Sequence, residues 1–223
     1  MGDSNDGMKE YRIVRATDEV PLNGTIADTS WEIADVATID VYPWPKGRNE
    51  QTATVRALYD DEALSLQYHV ADEHSSAETT ELNGPVWTDS AVECFARPDP
   101  DALDYFNFEA NCVGTFLLGW GDGREGRVRI EPELAASIAV ETSIEAETKD
   151  PAPDDESWWL AARLPFETLS AFAGTEITPE PGSVWRGNFQ RLGGDSESAV
   201  WNPIRAETPD FHLPRTFGRF VFE

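Results

Sequence analysis

The chain has 223 residues and carries 42 acidic against 17 basic side chains, for a formal charge of -25 and a sequence pI near 4.3. That length suits one large domain with a well-buried core, and the charge disfavours nucleic acid as a partner, because phosphate binding needs a basic face. No stretch approaches the run of about 20 apolar residues that spans a bilayer, and the polar start Met1-Gly-Asp-Ser-Asn-Asp-Gly-Met-Lys-Glu10 lacks the apolar core of a signal peptide.

Taken in chain order, residues 1–10 read as a polar segment and residues 11–223 as a single domain. Tyr11-Arg-Ile-Val-Arg15 predicts a first strand, followed by the turn at Pro21-Leu-Asn-Gly24 and a short loop holding Asp28 and Trp31. Ala53–Tyr59 and Leu64–Val70 alternate at period two around Asp60-Asp61 and predict a hairpin. Strands follow at Ser90–Ala96, Tyr105–Asn111 and Thr115–Trp120, then at Ala136–Glu147, which is followed by the acidic loop Lys149–Glu156. Trp158–Leu164 predicts another strand, Pro165–Phe172 a short helix, and Val184–Leu192 and Arg219–Phe222 the closing strands. Many short strands with almost no amphipathic helix predict an all-β fold, a two-sheet antiparallel β-sandwich with one or two short helices.

The acids are scattered along the whole chain, and Lys9, Lys46 and Lys149 are its only lysines. This pattern describes a solvated acidic surface adapted to salt, since at about 1 M salt the Debye length shrinks to about 3 Å and self-repulsion is screened. The melting temperature is accordingly expected to rise from dilute buffer to molar potassium chloride; a flat or falling curve would refute salt adaptation. Cys94 and Cys112 fall on predicted strands of opposite direction and are expected to be buried thiols, with a cross-strand disulfide as the alternative.

The stretch with the most chemical content is Trp87-Thr-Asp-Ser-Ala-Val-Glu93-Cys-Phe95. Period two places Ala91, Glu93 and Phe95 on one face and Val92 and Cys94 on the other. An aromatic plate beside a carboxylate suits a pyranose, whose C–H face packs on the ring while its hydroxyls donate to the acid. In the alternative, Trp87 caps a core and Glu93 is a solvated strand residue. Trp31, Trp158, Trp159 and Trp185 are read as core or core-edge residues, and no two of His69, His74 and His212 have zinc-ligand spacing.

These motifs lie in an order that resembles carbohydrate-binding module family 9 over nearly the whole chain. They include Asp28-x-x-Trp31, Val55-x-Ala-Leu-Tyr-Asp60, the Trp87 to Phe95 stretch, Phe106-x-Phe-Glu-Ala-Asn111, Leu164-Pro-Phe, Trp185-Arg-Gly-Asn-Phe-Gln190 and Phe211-His-Leu-Pro-Arg-Thr-Phe-Gly218. The resemblance implies a jelly-roll-type β-sandwich that clamps a sugar between two aromatic rings without catalysing its turnover. Position by position, it implies Trp87 as one clamp ring, Phe211 as the second where better-described members carry Trp, and Glu93 as the hydroxyl-binding acid. Asn111 and Gln190 correspond to amide hydrogen-bonders, and Glu109 stands where members can carry a basic residue. No cofactor is required, but a structural calcium is compatible with the family, and Asp60, Asp61 and Asp72, with Glu73 beside them, are candidate oxygen ligands. Solvated turn acids are the alternative.

Two other functions compete. A glycoside hydrolase would use Asp89 and Glu93 as paired carboxylates, although on one strand they would stand about 13 Å apart. A haem-binding electron-transfer sandwich would need axial Met or His ligands, and the methionines are confined to Met1 and Met8. The partners expected are a mono- or oligosaccharide and neither nucleic acid nor membrane, with the protein a soluble monomer. It is expected in the cytoplasm as the sequence stands, or outside the cell if a signal segment has been removed.

Overall fold

The computed structural model describes residues 7–146, 148, 156–193 and 196–223. The acidic loop at 149–155 and most of the polar start lie outside the described residues. In chain order the strands are β1 (Glu10–Arg15), β2 (Ala37–Ile39), β3 (Ala53–Tyr59), β4 (Ala63–Ala71), β5 (Ala91–Arg97), β6 (Tyr105–Asn111), β7 (Phe116–Gly121) and β8 (Val128–Arg129). After the short helix α1 (Pro132–Ala135) come β9 (Ala139–Thr142), β10 (Ser157–Pro165), helix α2 (Phe166–Ala173), β11 (Val184–Leu192), β12 (Ala199–Val200) and β13 (Gly218–Phe222).

The strands form two layers, ordered β8-β7-β6-β5-β11-β13-β1 in one and β1-β3-β4-β10-β9 in the other, with β12 beside β11 and β2 beside β3. The all-β sandwich expected from the sequence is therefore present, with one departure from a purely antiparallel plan. The shared strand β1 runs parallel to both neighbours, pairing Glu10–Ile13 with Arg219–Phe222 of β13 and Val14 and Arg15 with Leu58 and Tyr59 of β3. Parallel pairing leaves no signature in β1 itself, because it depends on which strands the rest of the chain brings alongside.

The core lies between the layers. Tyr11, Phe189, Trp201 and Phe220 make a ring cluster there, with Phe189 stacked on Phe220 at 4.6 Å between centroids. Tyr68 of β4 donates its hydroxyl to the Glu93 carbonyl of β5 at 3.0 Å, tying one layer to the other under the strand that carries the key motif. Trp31, Trp158 and Trp185 are buried as the sequence suggests, and Trp159 is half-buried. The helix expected over Pro165–Phe172 forms one residue later, ending at Gly174 in the left-handed conformation that glycine adopts without strain. The strand expected over Ala136–Glu147 shrinks to Ala139–Thr142, because Ala136 ends α1 and Ser143 turns to accept the Trp159 N–H, while Glu147 lies outside the described residues. The two- and three-residue strands β2, β8 and β12 carry too few residues to show a period.

Cys94 and Cys112 are buried thiols, and burial pushes the Cys94 thiol well above its ordinary pKa. Replacing both with alanine removes only two sulfur atoms from the core, so a loss of about 1 kcal/mol each is expected. Melting curves with and without reductant should coincide for the wild type; a drop under reductant would reveal a structural disulfide.

Candidate functional site

The outer face of β5 and β6 is where the fold exposes chemistry. Val92, Cys94, Phe106 and Phe108 point into the core, so the alternate residues Glu93 and Phe95 of β5, with Asn107 and Glu109 of β6, turn outward, Glu93 directly opposite Glu109 and Phe95 opposite Asn107. Over this face lies a cleft of about 430 Å³ lined by Trp44, Trp87, Phe211, His212, Glu93, Glu109, Arg124, Arg127 and Arg129 among others.

Each wall has a local cause. Trp87 sits in a 3-10 turn over Val86–Thr88 and is 44% exposed, so its ring is available to a ligand. That turn is moored by a buried knot. Asp89 accepts the N–H groups of Glu78 and Thr79 at 3.2 and 3.1 Å and the Asn111 amide at 2.8 Å. Asn111 also donates to the Thr79 carbonyl at 2.9 Å and accepts the Thr115 N–H at 3.0 Å. On another wall, Phe211 packs on the ring cluster of Phe95, Tyr105 and Phe217, and its own ring lies 5.5 Å from that of Trp44. Trp44 is fixed by a 2.8 Å bond from its indole N–H to the Ala206 carbonyl. His212 completes this wall, with Nδ1 2.7 Å from the Tyr105 hydroxyl.

The floor is electrostatically unusual. Glu93 and Glu109 are both buried, and directly opposed like charges on neighbouring strands repel. Burial first, and then Glu109, pushes the Glu93 carboxyl well above the ordinary glutamate range. Burial also raises Glu109, opposed by a 2.6 Å bond from the Asn107 amide and by Arg129, Arg127 and Arg124. Oε2 of Glu93 has no hydrogen-bond partner among the described residues. Burial and the same arginines push His212 down to about 3, leaving it neutral.

The stability consequences have opposite signs. A raised carboxyl means the folded state holds a proton that the unfolded chain releases, so this contribution is full below the ordinary value of 4.5 and is lost as pH climbs through the raised value. His212 does the reverse, contributing above its ordinary 6.5 and losing that contribution as pH falls toward about 3. Replacing Glu93 by Gln is therefore expected to shift melting temperature increasingly in the variant's favour as pH rises above 4.5, in paired melting curves. A pH-independent difference would contradict the buried-pair description.

Of the six residues singled out from sequence and family likeness, the cleft gathers Trp87, Glu93, Glu109 and Phe211. Asn111 and Gln190 lie outside its lining and are fully buried. Asn111 belongs to the knot under Trp87, and Gln190, in register with Glu93, has an amide that satisfies the Asn188 and Glu93 carbonyls at 3.0 and 3.3 Å. Asp89, paired with Glu93 in the hydrolase alternative, is not on the strand. It caps the 3-10 turn, and its oxygens are spent on the knot. Sequence reasoning missed Trp44 and the three arginines.

The calcium candidates do not converge. Asp60 and Asp61 precede β4 and Asp72 follows it, about 30 Å away at roughly 3.3 Å per residue. Asp60 pairs with Arg163 at 2.7 Å and Asp61 with Arg15, while Asp72 accepts the Trp158 indole N–H and pairs with Arg191. Glu73 accepts from the Asn49 amide. No group of three or more potential ligands assembles among the described residues.

Known proteins similar to this chain share its family and its fold. The family described as Carbohydrate-binding family 9 matches residues 17–222. A crystal structure from Bacteroides uniformis ATCC 8492, provisionally assigned as a carbohydrate-binding protein, is similar at 26% identity and a TM-score of 0.86, covering 97% of this chain and 100% of that one. A family 9 carbohydrate-binding module from Caldicellulosiruptor kristjanssonii in complex with cellotriose is 15% identical with a TM-score of 0.68, over 96% of this chain and 94% of that one. The same organism's module in complex with glucose gives 14% and 0.64, over 95% of each chain. None of the curated proteins compared matches the chain. No helix among the described residues is long and apolar enough to cross a membrane.

Proposed function

The chain belongs to carbohydrate-binding family 9, and from that premise we propose that its cleft binds a sugar unit by stacking it on Trp87, with Phe211 and Trp44 forming the opposing aromatic wall. Glu93 and Glu109 take the hydroxyls. The observation that carries this reading is the convergence of three aromatic rings and two buried carboxyls on one cleft of about 430 Å³, a size and composition suited to a small ligand. A protonated carboxyl both donates and accepts, so the pair on the floor matches hydroxyls that do the same. Asn111 and Gln190 act from beneath, Asn111 by holding the turn that presents Trp87 and Gln190 by bracing the backbone of β5.

The role is non-catalytic. A retaining glycosidase needs one ionised carboxylate as nucleophile and a proton donor across the scissile bond. Here both acids stand side by side on adjacent strands of one floor, and both are pushed toward the neutral form. A glycan array followed by calorimetry in molar potassium chloride tests binding, and aryl glycosides test turnover. Saturable sugar binding without turnover is expected; turnover, or no binding to any glycan, would overturn the reading.

A further inference from the structure

The cleft gathers positive charge that is sparse elsewhere in the chain. Of 17 basic residues, three fall within the six positions of Arg124-Glu-Gly-Arg127-Val-Arg129, and all three line the cleft. They differ in what they have to offer. Arg127 is spent on the fold. It donates to Asn107 Oδ1 and to the carbonyls of Tyr105, Gly119, Gly121 and Gly123, and its guanidinium lies 4.2 Å over the Tyr105 ring. Arg124 is exposed at the mouth.

Arg129 is the unusual one. It pairs across the strands with Gly119, and a Cβ there would stand 3.0 Å from Arg129 Nη1 and 2.4 Å from Asn107 Oδ1. A side chain at that position would crowd both the guanidinium and the Asn107 amide, and glycine leaves them room. Yet Nη1 of Arg129 is buried with no hydrogen-bond partner among the described residues, as is Oε2 of Glu93 in the same cleft. The site therefore holds one buried cationic donor and one buried carboxyl oxygen, both without a partner. Glu109 offsets the Arg129 charge only in part, because burial pushes its own carboxyl toward the neutral form, so a neutral sugar would occupy the donor and leave the rest of that charge uncompensated. A planar carboxylate would neutralise it and accept two parallel bonds from the guanidinium fork. Glu125 and Asp210 also line the cleft and oppose an anion, but Glu125 is exposed, and Asp210 accepts the His212 N–H at 2.9 Å.

Building on the sugar-binding reading above, we infer that the unit this cleft selects is a uronic acid, its carboxylate paired with Arg129 and Arg124 and its hydroxyls held by Glu93 and Glu109. The test is calorimetry in molar potassium chloride with glucuronate, galacturonate and mannuronate, each beside its parent hexose, and with glucuronamide as the uncharged isostere of the first. One uronate is expected to bind about tenfold or more tightly than its hexose, with the amide no better than the hexose if that uronate is glucuronate. In Arg129→Gln the uronate-to-hexose ratio should fall toward one. The ligand series needs no variant, so poor folding of Arg129→Gln would not spoil it. Hexoses binding as well as uronates would overturn this inference and leave the sugar reading intact, whereas binding of neither, here and on the glycan array, would sink both.

Discussion

Replacing Asp72 by alanine is expected to lower stability more than any other single acidic substitution considered for this chain, by about 3–5 kcal/mol, which for a chain of this size is a fall in melting temperature on the order of 10 °C or more. The reason is Arg191, whose side chain is fully buried and whose charge is met by Asp72 at 3.5 Å. Ser196, Gln51 and the Glu197 carbonyl accept other donors of that guanidinium but carry no compensating charge. The variant also strips the Trp158 indole N–H of its acceptor, held at 3.2 Å in the wild type. Asp61→Ala is the control, because its pair with Arg15 is solvent-exposed and screened, and such pairs contribute little to stability. The same experiment weighs the calcium alternative. If Asp72 served a metal, a chelator would lower the wild-type melting temperature and leave the variant unaffected; chelator-insensitive melting of both is expected.

Removing the Trp87 ring is expected to cost about five- to a hundredfold in sugar affinity while leaving the fold nearly intact. Stacking of an aromatic plate on a flat ligand is worth on the order of 1–3 kcal/mol, and a ring that is 44% exposed contributes little to the core. Calorimetry of Trp87→Ala, beside its melting curve, separates the two effects. Unchanged affinity would remove Trp87 from the site, and a melting temperature that collapsed with the affinity would mark it as structural.

The fold was legible because most of it is written at period two. In β3 the apolar Ala53, Val55 and Ala57 alternate with Thr54 and Arg56, and in β6 Phe106, Phe108 and Ala110 alternate with Asn107, Glu109 and Asn111, while the α2 helix is set off by Pro165 before it and Gly174 after it. What escaped is non-local. The parallel pairing of β1 depends on β3 and β13, far along the chain, and the short strands β2, β8 and β12 owe their existence to neighbours that offer an edge.

The site divides in the same way. Trp87 and Glu93 could be placed because one short motif carries both, whereas Asn111 and Gln190 have the right residue type for sugar hydroxyls but sit beneath the surface. An amide's partner cannot be read from its position on a strand. Two signals in the sequence pointed further. Tyr42-Pro-Trp44-Pro offers an indole on a proline-flanked loop, where burial in a strand is excluded. Gly123-Arg-Glu-Gly-Arg-Val-Arg129 concentrates positive charge in a chain that otherwise avoids it. Both lie in loops or at a strand too short to show a period, and only folding brings them onto the cleft.

The most direct test of the central claim is a crystal structure of the wild-type protein with whichever sugar binds it best in molar salt. The account predicts a pyranose ring seated on Trp87 within the cleft, with Oε2 of Glu93 at hydrogen-bonding distance from a hydroxyl. A sugar bound elsewhere, such as over Trp159 on the opposite sheet, with the cleft beside Trp87 left to solvent, would contradict it.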